Sequence, residues 1–455
     1  MLIEEKRVFM EKEMEGISKK TLESARKAGY LGKKMYKQAL TAEEEGRPTA
    51  WAMVNFAHAD LILKAMGVEI VYPENWGAYC ASRRRAEEYL ENSDSEGFPT
   101  SLCGYARVTL GYAKMLAESN FAVPENAPGG GMARPVVLLS SGVICDARFK
   151  WFQALKRYMD VPIYTLEIPN PGVREASVEG GKRYNIRYMA QECRSFIKFM
   201  EERLGRKLDW DKLRELVGIF EENLRTWHAV DQLRKAVPSP MLAQDFYSCM
   251  LPLFYMSTDP ETTDFVKELY REVKERVDKS VGAIENEKYR MMFGEIPPWH
   301  SMSLFDDLAS EYGIAVVTEG YIYHFNIPPA EEELENASDI IERICYWTYN
   351  HFVEKWRLNA LKMNVEPGYF VQPYLDMAQE YNIDGAIFHT LLSCRPACYT
   401  MLHTANLLRE KLNIPSIFIE GDMVDLRVFN EQEAKDRIGA FLDTMDHYKE
   451  LRKNV

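Results

Sequence analysis

The sequence predicts an α/β protein of two Rossmann-like parallel-sheet domains, with a helical N-terminus and a helical connecting segment. Three observations predict it. Short apolar runs of strand length alternate with helix-period stretches in two separated regions, 47–179 and 286–455, the pattern of strand–helix–strand units with parallel pairing. Between them, 180–285 carries apolar residues at 3.6 spacing almost throughout. Finally, two stretches echo each other in layout. Residues 135–170 read strand, Cys145, helix, Val161-Pro162, strand, and 385–427 read strand, Cys394, helix, Ile414-Pro415, strand.

In order, 1–46 predicts helix, with Lys33, Lys34 and Lys37 on a basic face and a stop at Glu43-Glu44-Glu45-Gly46. A strand over 49–56, a helix over 58–66 and a strand over 67–72 follow, closed by Pro73-Glu74-Asn75-Trp76. A helix over 83–91 leads into a polar loop, 92–97. Ser101 suits the N-cap of a helix running to 117. The loop Ala127-Pro128-Gly129-Gly130-Gly131 lacks the Lys-Ser/Thr of a P-loop and follows no strand, which argues against phosphate binding. The strand over 135–144 ends in Cys145-Asp146, with a helix over 149–158 and a strand from Val161 to 168 behind it. Helices over 188–204, 208–236 and 264–281 fill the connecting segment. The second domain reads strands over 289–295 and 313–318, helices over 337–356 and 373–381, and a strand over 386–392 that ends in Ser393-Cys394-Arg395-Pro396. A helix, a strand over 416–420 and a terminal helix over 431–451 complete it.

Composition narrows the function. Of 455 residues, 46% are apolar and 27% charged, ordinary for a globular chain, and the net charge is −13. Nucleic acid and anionic membranes are therefore disfavoured as partners. The run Arg83-Arg84-Arg85 is balanced by Glu87 and Glu88 and reads as a solvated face. The N-terminus has no apolar signal region, and no run approaches the roughly 20 residues of a membrane span, so a cytoplasmic location is expected. There the eight cysteines read as thiols, metal ligands or core residues rather than disulfides.

Cys193, Cys249 and Cys345 sit among apolar helical neighbours and read as core. Cys80 either lines a site or packs, and Cys398, four residues after Cys394, suits either metal binding or packing. Cys103, Cys145 and Cys394 each fall at a transition, one at a helix start and two at strand ends. Helix N-termini offer positive potential and free N–H groups to thiolates. Three thiolates from scattered positions suit an iron–sulfur cluster with one iron open, or three packed thiols. No CxxC pair, HExxH, GxSxG or GxGxxG is present. Glu420, Asp422 and Asp425 read as a solvated strand end or a cation or proton-transfer group, and Glu74 is the carboxylate expected in the same cleft. Trp76, Trp299 and Tyr105 are candidate cleft walls.

At these residues the chain resembles the 2-hydroxyacyl-CoA dehydratase / benzoyl-CoA reductase family. The motifs are GFPTSLCGYARVTLGYA around Cys103, SSGVICDARFKWF around Cys145, ENEKYRMMFGEIPPW, and SCRP with IEGDMVDLRVFNEQEAKDRIGAFLDTM from Cys394 onward. The resemblance implies a heterodimer subunit with two α/β domains and a [4Fe-4S] cluster held by Cys103, Cys145 and Cys394, its fourth iron open to an acyl-CoA thioester carbonyl. It also implies an ATP-dependent iron–sulfur activator protein that delivers single electrons. An (R)-2-hydroxyacyl-CoA dehydratase, working through a ketyl radical, is the expected activity. The alternatives are a benzoyl-CoA-reductase-type subunit and a non-catalytic cluster-binding electron carrier or partner subunit.

Overall fold

In the computed structural model, residues 16–53, 57–169, 180–323, 327–363 and 371–453 are described. The first part runs α1 (Glu23–Glu44), β1 (Thr49–Ala52), α2 (Ala57–Ala65), β2 (Glu69–Val71), α3 (Pro73–Ser82), α4 (Glu87–Ser95), α5 (Gly104–Glu118), β3 (Val137–Ser140), α6 (Asp146–Leu155) and β4 (Ile163–Thr165). Four long helices follow: α7 (Gly181–Leu204), α8 (Trp210–Leu233), α9 (Ala243–Tyr255) and α10 (Pro260–Asp278). The last part runs β5 (Tyr289–Gly294), α11 (Leu304–Tyr312), β6 (Ile314–Glu319), α12 (Ile340–Tyr349), a π-turn (Asn350–Glu354), α13 (Lys355–Met363), α14 (Gln372–Glu380), β7 (Gly385–Leu391), α15 (Met401–Leu412), β8 (Ser416–Gly421), α16 (Glu431–Ala440) and α17 (Leu442–Lys453).

The α/β expectation holds. Each sheet has four strands, all parallel, in the orders β2-β1-β3-β4 and β6-β5-β7-β8. Every residue of β1, β3 and β6 is buried, which is why these strands read as unbroken apolar runs rather than as alternation. The two sheets share one order, and in both the order reverses between the first and third strands. The crevice beyond the carboxyl ends of strands at such a switch is where open α/β sheets take ligands.

The connecting helices are clamped to the second sheet through Arg234, at the end of α8. Its guanidinium donates to Glu319 (2.6 Å) at the end of β6, to Asp231 (3.2 Å) and to the Val317 carbonyl (3.1 Å). It also lies 3.6 Å from the Phe246 ring centroid on α9.

Helices α4 and α5 meet backbone to backbone, because Gly111 has no Cβ to hold them apart. A Cβ there would lie 1.9 Å from the Tyr89 carbonyl oxygen. Gly111→Ala is therefore expected to destabilise the protein by about 1–3 kcal/mol through overpacking. A urea midpoint unchanged from the parent would show that the two helices are free to separate.

Several elements differ from expectation. The first helix begins only at Glu23: residues 16–22 are non-helical, with Leu22 extended, and 1–15 lie outside the described residues; the first strand ends at Ala52, with 54–56 likewise outside. The residues Pro73-Glu74-Asn75-Trp76, expected as the strand end, open α3, because Pro73 fits the first helical turn. The helix expected over 83–91 starts at Glu87 and runs through the expected polar loop to Ser95. Cys103, not Ser101, is the N-cap of α5. Helix α9 lies in the segment expected to be helical and around Cys249, but the sequence gives it no bounds, because it is apolar nearly all round and contains Pro252, so it shows no single face. The helix expected over 337–356 is interrupted by the π-turn, and the terminal helix breaks at Phe441.

Candidate functional site

Three helical starts share one construction. Cys103 is the N-cap of α5, Cys145 of α6, and Cys394 of the helical turn Arg395–Cys398. None of the three thiols closes a full cap hydrogen bond. Still, the backbone amide three residues on, from Ala106, Arg148 and Ala397 respectively, acts on each to favour the thiolate. This is the potential that unpaired N–H groups create at a helix start. Cys145 and Cys394 follow the third strands of their sheets, β3 and β7, as the echo implies. Ile144, just before Cys145, has φ 76°, an uncommon conformation for a β-branched residue, and it turns the chain from strand into helix.

All three cysteines line one cavity of about 500 Å³, together with Glu74 from the first turn of α3 and Glu295, which follows β5. Burial pushes all three thiols up, and the neighbouring thiols add to this for Cys103 and Cys394, while Arg148 opposes it at Cys145. Glu74 is raised by burial against the pull of Arg148. Glu295 is pushed up to about 8 by burial alone. It accepts a hydrogen bond from the Tyr374 hydroxyl and sits at φ 67°. The cavity thus penalises negative charge on each thiol, a balance that a cationic group bound among them would reverse.

The two sheets are joined beside the thiols. Ser393 Oγ accepts from the Gly104 amide (3.0 Å) and donates to the Asp422 carboxylate. Asp422 in turn accepts from the amides of Val424 (2.9 Å) and Asp425 (3.1 Å). Ser393 precedes Cys394 and Gly104 follows Cys103, so one short network sets the spacing of two thiols. Only glycine fits at 104, since a Cβ would meet Asp422 Oδ1 at 2.7 Å. Arg107, 1% exposed, bridges Asp94 and Asp425. The Trp299 indole donates to the Tyr105 hydroxyl at 2.5 Å.

Residues 57–445 match the family model for the 2-hydroxyglutaryl-CoA dehydratase D-component. The chain belongs to that family. The matched span includes Glu74 and all three cysteines of the cavity. Relatives include the (R)-phenyllactyl-CoA dehydratase alpha subunit of Clostridium sporogenes, 28% identical over 90% of this chain and 93% of its own. The lactoyl-CoA dehydratase alpha subunit of Anaerotignum propionicum is 24% identical over 92% of this chain and 95% of its own. A benzoyl-CoA reductase subunit of Thauera aromatica is 25% identical over 82% of this chain and 83% of its own.

The remaining sequence candidates separate clearly in this family member. Cys80 is fully buried on α3 and Cys398 bonds to both the N–H (3.3 Å) and the carbonyl (3.2 Å) of Leu391; neither lines the cavity. Cys193, Cys249 and Cys345 are core residues, with 3.9 Å between the sulfurs of Cys193 and Cys345. Of the expected walls, Tyr105 lines the cavity, Trp299 backs it, and Trp76 is buried elsewhere against Tyr89 and Tyr112. Asp422 and Asp425 are buried structural groups rather than a solvated strand end, while Glu420 is exposed. Sequence reasoning missed Arg148, Glu295, His351, Phe352, Lys355 and Trp356. Arg148, one turn after Cys145 in the SSGVICDARFKWF motif, was the one within reach. The others depend on the left-handed backbone at 295 and on the π-turn.

Proposed function

We propose that this chain is the iron–sulfur subunit of an (R)-2-hydroxyacyl-CoA dehydratase, with Cys103, Cys145 and Cys394 holding a [4Fe-4S] cluster. The observation that carries the reading is that three cysteines, each an N-cap, line one cavity between the two sheets. Among the described residues no three His, Cys, Asp or Glu side chains converge closely enough to hold a single metal ion. Thiolates on one ion of zinc type sit about 2.3 Å from it and hence close together, whereas a four-iron cluster reaches ligands set further apart. The donor set, three soft thiolates and a fourth position without a cysteine, suits such a cluster. When bound, it supplies an open iron that polarises the thioester carbonyl and an electron at the same atom.

The chain's own residues do the rest. Glu74 and Glu295 place two carboxyl groups in the cavity, both shifted by burial toward the pKa range useful for proton transfer. Glu74 moves the substrate proton, and Arg148, whose charge acts on both Glu74 and Cys145, orients it. Trp151, Phe254 and Phe352 keep water from the reacting carbon. In this reading the chain pairs with a second subunit, receives single electrons from an ATP-dependent iron–sulfur activator, and works in the cytoplasm.

The test is anaerobic purification with iron and sulfide analysis, expected to give about four of each per chain, followed by EPR with and without acyl-CoA. Absence of iron, or a signal indifferent to thioester, would sink the proposal. Glu74→Gln is expected to keep the iron and lower dehydration about 10²-fold or more; full activity in that variant removes Glu74 from the reaction. The relative that is a benzoyl-CoA reductase subunit, with the aromatic residues of the cavity, keeps a ring-reducing activity as the second reading. Reductant consumed in stoichiometric amounts, without dehydration, would select it.

A further inference from the structure

The π-turn at Asn350–Glu354 carries residues onto the cavity that an uninterrupted helix would place differently. His351 and Phe352 within it, and Lys355 and Trp356 just after it, all line the cavity. π-turns are uncommon and concentrate at functional sites. With Trp151, Phe254 and Tyr321 these residues give the cavity an aromatic wall assembled from separate parts of the chain. Phe352 is 2% exposed, and its ring lies 5.8 Å from the Arg148 guanidinium carbon. Arg148 also acts on Cys145, so this aromatic wall stands close to the thiols.

We infer that the acyl group taken by this cavity is bulky and apolar, aromatic or branched, without a second carboxylate, and that Phe352 and Trp356 set this choice. The inference rests on the acyl-CoA reading of the same cavity. An apolar side chain gains by leaving water for an aromatic wall. A distal carboxylate loses its hydration there, and a desolvated charge must be offset by a charged partner to be tolerated. Of the two guanidiniums that line the cavity, Arg395 directly follows Cys394 and Arg148 already acts on Glu74 and Cys145, so a distal carboxylate at the aromatic wall finds little such offset. Burial lowers Lys355 to about 7, so that it is only partly charged near neutral pH, and His351 to about 4, so that it is neutral there. The geometry and the electrostatics therefore point the same way.

The test uses the full chain, purified anaerobically, titrated calorimetrically with CoA thioesters that lack the 2-hydroxyl and cannot react. The probes are 3-phenylpropanoyl-CoA, 4-methylpentanoyl-CoA, glutaryl-CoA, acetyl-CoA and free CoA. The first two are expected to bind about 10-fold or more tighter than glutaryl-CoA and acetyl-CoA. Phe352→Ala should remove most of that preference, weakening the phenylpropanoyl and methylpentanoyl thioesters far more than acetyl-CoA, while Phe352→Leu retains it. Should Phe352→Ala fail to fold, Trp356→Leu reads the same wall. Glutaryl-CoA binding as tightly as the phenylpropanoyl thioester would overturn the inference and leave the acyl-CoA reading intact. If no thioester binds more tightly than free CoA, the acyl-CoA reading itself falls and takes this inference with it.

Discussion

Cys394→Ser is expected to leave a folded protein that has lost most of its iron, from about four atoms per chain to below one, and its dehydratase activity with it. Serine is among the best N-cap residues, so the turn Arg395–Cys398 keeps its start. The neighbouring Ser393 keeps its bonds to Gly104 and Asp422, so the joint between the sheets is untouched. What changes is one soft ligand, exchanged for a hydroxyl that binds iron poorly. Cys80→Ser and Cys398→Ser, whose thiols do not line the cavity, should retain full iron. Colorimetric iron and sulfide analysis of the three variants, with thermal melts as the control for folding, decides the matter. A Cys394→Ser protein with parental iron content would take Cys394 out of the ligand set.

Arg234→Met is expected to cost about 3–5 kcal/mol of stability. Arg234 and Glu319 are both fully buried, and Asp231 nearly so. Methionine preserves the length and apolar bulk of the arginine stem but leaves Glu319 in the core without its countercharge. The effect should reach the cavity, because Glu319 ends β6 and Tyr321, a lining residue, follows two positions later. Urea unfolding measures the loss, and the double variant Arg234→Met/Glu319→Gln should recover part of it by removing the stranded charge. A loss below about 1 kcal/mol would mean that water or rearrangement compensates Glu319, contrary to the burial of this pair.

What the sequence made legible was what local chemistry determines. The strands of both sheets read as short apolar runs because parallel strands are covered on both faces. The transitions at Cys103, Cys145 and Cys394 were visible because strand ends and caps carry their own residue types. The N-cap of α5 was misplaced by two residues because Ser101 is the stronger cap by propensity; the contact of Gly104 with Asp422 and Ser393, 289 residues away in the case of Ser393, fixes the helix start instead. Helix periodicity on either side of the π-turn runs on without a break, so nothing local announces it. Asp422 looked like a solvated acid because Ser393, 29 residues away, meets it only in the folded chain, while its bonds to the amides at 424 and 425 are local and alone do not imply burial.

The Gly104–Ser393 bond also bears on the order of events during synthesis. Closing a loop of that length carries an entropic cost of about 5 kcal/mol, so the contact forms only once other parts of both sheets are in place. A ribosome delivers the first sheet well before Cys394 emerges, and for that interval Cys103 and Cys145 have no third thiol beside them. Any group that needs all three must be installed late, on a nearly finished chain. Until then, the thiols are open to whatever oxidant reaches them.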